Sequence, residues 1–177
     1  MAINPGARYL AIAIFDGVKL REWRMKSLQG KGAENRSVKV TDILAGFIDR
    51  YRPAALAIKR LHPSRSSAGL NLLAADIRDY CQSQGMRVYS YSIGELENTL
   101  LLDSQTNKKE LAKVMAAIYP ELTPELKREE SNRNAYFVRL FEAVALGHIC
   151  LNELINNHKQ ITTDSRKQSS LTVRPKL

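Results

Sequence analysis

A continuous apolar run from Tyr9 to Phe15 ends at Asp16-Gly17, and a mixed basic and apolar segment, Val18 to Leu28, follows it. The first run suits a strand buried on both faces, and Asp-Gly between two such runs is a strong hairpin signal. Gln29-Gly30-Lys31-Gly32 reads as a loop, after which the period changes. From Val38 to Tyr51, the residues Val40, Ile43, Leu44, Phe47, Ile48 and Tyr51 share one helical face, and Pro53 stops the helix. Ala54-Ala55-Leu56-Ala57-Ile58 predicts a buried strand and Met86 to Tyr91 another. Between them, the polar loop His62 to Gly69 leads into a helix from about Leu70 to Gln84, closed by Gly85.

Ser92 with Glu95 has the spacing of a capping box for a short helix through Leu101, and Asn107 with Glu110 repeats it for a helix through Ile118. Tyr119-Pro120-Glu121-Leu122 is a break, and the charged stretch from Glu121 to Glu130 predicts a surface helix or loop. A long helix is expected from Asn134 to about Leu154. Residues 156–177 are polar and read as a disordered basic tail on a single domain over 1–155. A hairpin followed by alternating helices and strands predicts an α/β fold whose mixed sheet carries helices on both faces.

The chain has 177 residues, enough for one domain that buries roughly two-thirds of its unfolded surface. Its hydrophobic content of 44% and charged content of 25% are ordinary for a globular protein. The net charge of +9 is not, and it favours an anionic partner, nucleic acid first and an acidic membrane surface second. The bland alternative is a basic protein without a polyanion partner. Cys81 and Cys150 are too few for a disulfide framework or a zinc site and read as buried thiols. No apolar run approaches the ~20 residues of a membrane span, and no signal-peptide pattern is visible. The expectation is a cytoplasmic protein.

The chemistry concentrates at a few positions. Met1-Ala2-Ile3 is a short apolar run that ends at Asn4-Pro5-Gly6. A second apolar strand runs into Lys59-Arg60, and a late helix reads Phe141-Glu142-Ala143-Val144-Ala145-Leu146-Gly147. On these segments, together with Ala7-Arg8-Tyr9 and the Lys108 region, the chain resembles the bacterial Holliday-junction resolvases of the RuvC-like family from Ile3 to about Leu154. The resemblance implies an RNase H-like mixed five-stranded sheet, a homodimer, and clefts that pair with a four-way junction. It also implies four carboxylates around divalent metal. Asn4, Lys59 and Arg139 stand where three of these acids are expected, and Glu142 matches the fourth. Glu97 falls near the position of a family lysine.

A lysine ammonium about 4 Å from a divalent ion, at an effective dielectric of ~20, is repelled by roughly 8 kcal/mol. No ordinary metal site tolerates that together with the loss of a carboxylate. Glu142 is the remaining candidate metal ligand. Its alternatives are an ion pair with Lys59 or with Arg139, one turn earlier. Asp16 reads as a turn residue, Asp103 as part of a polar loop and His148 as structural.

Basic residues gather in groups. Seven cations face two acids between Lys19 and Lys39, a balance of 7 − 2 = +5. Arg8, Arg60, Arg65, Ser66, Lys108 and Lys109 are the candidate nucleic-acid contacts bordering the implied cleft. Trp23 and Tyr9 could stack on bases but read first as packing residues. The leading expectation is a pseudo-nuclease that binds branched or double-stranded DNA without a cofactor. One alternative is an active endonuclease with a reorganised Mg²⁺ site, and another is a protein-interaction module.

Overall fold

The computed structural model describes residues 1–29, 33–100, 108–131 and 137–170. Five strands are present: β1 (Ala2–Pro5), β2 (Tyr9–Asp16), β3 (Lys19–Ser27), β4 (Ala55–Lys59) and β5 (Arg87–Tyr91). The helices are α1 (Ala33–Tyr51), α2 (Ala68–Ser83), α3 (Ile93–Leu100), α4 (Lys108–Ile118), α5 (Thr123–Ser131) and α6 (Val138–Ser170), with a single 3-10 turn at Pro120–Leu122. The sheet order is β3-β2-β1-β4-β5. β1, β2 and β3 pair antiparallel, whereas β4 runs parallel to both β1 and β5. This is the expected mixed five-stranded α/β sheet with helices on both faces.

Strand alternation sorts the two faces. Ile3, Leu10, Ile12, Ile14, Leu56 and Ile58 pack with Val40, Leu44 and Phe47 of α1 and Leu73 and Ile77 of α2. On the other face Ala2, Ala13 and Ala57 meet Phe141, Val144 and Ala145 of α6, with Leu96 of α3 and Leu111 and Met115 of α4 in the same core. Successive strand residues point to opposite faces, so β1, β2 and β4 each show alanine to one side and a large aliphatic to the other. The alanine side lets α6 lie close on the strands.

Gly147 extends the same close approach. A Cβ there would lie 2.1 Å from Phe15 Cε2 and 2.8 Å from both Cδ2 and Cζ. The Phe15 ring is braced edge-on by Tyr119 at a centroid distance of 5.8 Å. Gly→Ala in an open helix gains up to about 1 kcal/mol. Gly147→Ala is expected instead to lose roughly 1–3 kcal/mol of stability, the range for overpacking a core. Urea unfolding measures the difference, and a stabilised variant would show that α6 has room to lift.

Local signals behave as chemistry dictates. Gly17 and Gly85 hold positive φ of 55° and 78° at the hairpin and at the end of α2. Ser67 caps α2, its Oγ accepting from the Leu70 N–H, so the helix starts two residues before the apolar pattern suggests. α1 starts at Ala33 rather than near Val38, because polar residues extend a helix without adding to its apolar stripe.

The largest departure is α6, which continues through Ser170. A disordered tail was expected over 156–177; residues 156–170 are helical, and 171–177 lie outside the described residues. No Gly or Pro separates Gly147 from Pro175. Low hydrophobicity means that a segment builds no core of its own, but it does not stop a helix already nucleated on one. Lys31, Asp103 and Asn107 also lie outside the described residues.

Cys81 and Cys150 are buried free thiols, and burial pushes the Cys81 thiol up to about 11. Trp23 packs against the α6-side core, and Asp16 is paired with Arg21 at 2.7 Å across the hairpin end. His148 Nδ1 hydrogen-bonds with the Tyr119 hydroxyl at 2.9 Å and its Nε2 with the Asn152 amide at 3.0 Å, a structural arrangement. Among the described residues no helix is long and apolar enough to cross a membrane.

Candidate functional site

Register and parity build the site. β1 and β4 are parallel, with Ile3 opposite Ile58. One residue further along each strand stand Asn4 and Lys59, side by side at the carboxyl ends. Each is two residues beyond an alanine of the α6 face, Ala2 and Ala57, so both side chains rise toward α6. In open α/β sheets the carboxyl ends of parallel strands are where ligands bind. α6 lies over this end and supplies Glu142, whose carboxylate is buried at 2% exposure.

Glu142 is held through one carboxylate oxygen. Its Oε2 accepts from Asn4 Nδ2 at 2.6 Å and from Lys59 Nζ at 2.9 Å. Asn4 Nδ2 also donates to the Arg139 carbonyl at 3.2 Å, tying β1 to the helix backbone. Lys108, at the start of α4, brings its Nζ to 3.8 Å from Oε1. The Lys59 side chain is 17% exposed and that of Lys108 60%. The Arg139 guanidinium lies against Gly6, where a Cβ would sit 2.8 Å from Nη1 and 2.9 Å from the Tyr9 carbonyl. Two lysine ammonium groups thus gather around one buried acid.

The ion pair with Lys59 is therefore the arrangement Glu142 adopts; Arg139 turns to Gly6 instead. Two features escaped the sequence. Asn4 serves through its nitrogen, as a donor, rather than through its oxygen. Lys108 reaches the acid itself, which sequence spacing could not show because it arrives on a separate helix. Glu97 makes no ion pair among the described residues.

The residues at this end do not fit a divalent ion. A cation here would meet Asn4 Oδ1, buried without a donor, and Glu142 Oε1, which accepts no hydrogen bond among the described residues. Against it stand the ammonium groups of Lys59 and Lys108, the first in direct contact with the carboxylate. Hard divalent ions require several converging anionic oxygens. Among the described residues no group of three or more His, Cys, Asp or Glu side chains converges in metal-binding fashion.

The expected nucleic-acid contacts ring the same end of the sheet. Arg8 is exposed in the turn after β1, and its carbonyl accepts from the Leu28 N–H at 2.8 Å. Arg60, directly after β4, is already committed: its Nη2 donates to both Glu95 oxygens, at 2.6 and 2.5 Å, and to the Ser90 carbonyl at 3.1 Å. Glu95 closes the capping box of α3, accepting from the Ser92 N–H at 2.6 Å while its own N–H donates to Ser92 Oγ at 3.2 Å. Those bonds from Ser92, reinforced by Arg60, hold the Glu95 carboxyl below the usual range.

Arg65 is exposed and joins no ion pair among the described residues. Ser66 is half-buried, its N–H donating to the His62 carbonyl at 3.0 Å, next to the N-terminus of α2. Lys109 is exposed beside Lys108. Arg36 was not anticipated here; it reaches across from α1, with Nη1 3.5 Å from the Ala7 carbonyl.

Fold and site together define an α/β domain with a mixed five-stranded sheet, whose buried glutamate is held by a lysine and an asparagine at the carboxyl ends of two parallel strands. Solved structures with this fold include T. thermophilus RuvC in complex with a Holliday junction substrate (20% identity, TM-score 0.60, 82% of this chain and 87% of that chain). The yeast mitochondrial Holliday junction resolvase Ydc2 is also similar (11% identity, TM-score 0.54, 92% and 84%). So is the Fowlpox virus resolvase, solved with substrate Holliday junction DNA (15% identity, TM-score 0.51, 80% and 92%). At these identities the likeness establishes the fold. No family model and no curated protein matches the sequence.

Proposed function

We propose that this chain is a DNA-binding pseudo-nuclease: a resolvase-like protein that engages branched DNA as a homodimer and does not cut it. The observation that carries the reading is the Glu142 carboxylate, which is held by Lys59 and Asn4 instead of being open to a metal ion. The net charge of +9 supports a polyanionic partner. Two of the similar structures, those of the T. thermophilus and Fowlpox virus proteins, hold Holliday junction DNA. Arg8, Arg65, Ser66, Lys108 and Lys109 surround the carboxyl ends of β1 and β4 and supply backbone contacts. Arg60 shapes the rim through Glu95.

The test is a gel-shift series with four-way and linear duplex DNA, followed by incubation with Mg²⁺ or Mn²⁺. Retarded junctions that remain intact are the expected result. Junction cleavage abolished by Glu142→Ala would establish an active nuclease, and no retardation of either DNA would leave a protein-interaction module. Light scattering of the free protein reads the dimer. Phosphate contacts release counterions, so affinity should fall steeply with salt. Arg65→Ala is expected to weaken binding across sequences and to flatten the salt slope by about 0.9, the increment for one lost contact. An unchanged slope would place the contact surface elsewhere.

A further inference from the structure

We propose that the lysine pair around Glu142 is an oxyanion site: it takes a phosphodiester of the bound strand directly between Lys59 and Lys108, without a bridging metal ion. This rests on the DNA-binding reading and specifies what its centre holds.

The argument starts from unused donors. Each ammonium carries three N–H groups. Of those on Lys59 and Lys108, a single one is engaged in a hydrogen bond among the described residues, from Lys59 to Glu142 Oε2 at 2.9 Å. Lys108 stands 3.8 Å from Oε1, close enough for attraction but beyond hydrogen-bond reach. Its side chain is 60% exposed, so an incoming anion can reach it, and Lys59 keeps a solvent-facing side at 17% exposure.

Charge points the same way. Lys59 and Lys108 against Glu142 leave a local balance of 2 − 1 = +1. Glu142 acts as an organiser: one carboxylate oxygen fixes Lys59 and the other draws in Lys108, which pre-positions two cations at the carboxyl ends of β1 and β4. An anion entering there meets preset donors with little side-chain ordering left to complete. A divalent cation entering there meets like charge. The ligand class is therefore a phosphate oxyanion, from a nucleic-acid backbone or free in solution.

The experiment uses the full chain in EDTA. Inorganic phosphate and, separately, dithymidine monophosphate are titrated while the Asn4 side-chain amide is followed by ¹⁵N NMR. That amide donates to the same Glu142 oxygen as Lys59 and reports on the pair. Four-way junction affinity is measured in parallel for the wild type, Lys108→Met and Lys108→Arg, with EDTA or Mg²⁺. Lys108 is exposed, so these variants should fold.

Expected are saturable shifts of the Asn4 amide with the dinucleotide, stronger than with inorganic phosphate. Junction binding in EDTA should be at least as tight as in Mg²⁺. Lys108→Met should flatten the salt slope by about 0.9, with the slope restored by Lys108→Arg. Tight junction binding with a silent Asn4 amide and an unchanged Lys108→Met slope would overturn the oxyanion site while leaving the DNA-binding reading standing. So would binding that requires Mg²⁺. A responding amide with no junction binding would do the reverse: the site would be one for free phosphate, and the DNA-binding reading would fall.

Discussion

Lys59→Ala is expected to destabilise the protein by about 3 kcal/mol, the lower end of the loss seen when one partner of a buried pair is removed. The cost comes from Glu142, 2% exposed on the sheet-facing side of α6, which cannot recover water when its cation is gone. The loss stays at the lower end because Lys108, 3.8 Å away and exposed, can move in and offset part of the charge. Lys59→Met should lose less than Lys59→Ala because the methionine refills the space of the lysine stem. Lys59→Met combined with Glu142→Gln removes both charges while the glutamine oxygen still accepts from Asn4, and should recover much of the loss. Denaturant unfolding of the wild type, Lys59→Met, Glu142→Gln and the double variant closes the cycle. A coupling below about 0.5 kcal/mol would mean that the two residues contribute independently and that the pair holds nothing together.

Replacing Asn4 by Asp, Lys59 by Glu and Arg139 by Asp should convert the protein into one whose stability depends on divalent ions. With Glu142 this places four acids at the carboxyl ends of β1 and β4. Two carboxylates about 4 Å apart repel by roughly 4 kcal/mol at an effective dielectric of ~20. The triple variant should accordingly be destabilised by several kcal/mol in EDTA. Mn²⁺ or Mg²⁺ should restore about 2.7 kcal/mol at a concentration one hundred times the dissociation constant. The wild type should show the same thermal midpoint in EDTA and in millimolar Mg²⁺. A wild-type midpoint that rises with Mg²⁺ and falls with EDTA would mean that the natural residues hold a cation, and the lysines would then have to turn away from the carboxylate.

Much of the fold is legible in the chain because its strands are read by hydrophobicity alone. The Tyr9–Leu28 hairpin, the Leu56–Ile58 strand and the apolar face of α1 all carry patterns whose period the backbone dictates. The meeting of Asn4, Lys59 and Glu142 was also legible, but only through likeness to the resolvases, since the three are spread over most of the chain. What sequence withheld was orientation. Whether Asn4 offers oxygen or nitrogen depends on which groups already surround it, and the Arg139 carbonyl and the Glu142 carboxylate are both acceptors. Arg60 illustrates the same limit: as a basic residue in a cleft loop it reads as a phosphate contact, whereas Glu95, the residue that caps α3, claims it. The far end of α6 was misread for a different reason, because polarity was weighed and helix continuity was not.

The outermost strand has its own consequence. β3 lies at one edge of the sheet, with β2 as its neighbour. Lys19, Arg21 and Arg24 are exposed along it. An uncovered strand edge is a template on which another chain can add itself and begin an aggregate. Arg21 and Arg24 are paired with Asp16 and Glu22, but cations outnumber acids along β3, and that excess makes a second copy of the same strand repel it. The protein should therefore stay dispersed in low salt and become prone to edge-to-edge assembly as salt screens those charges.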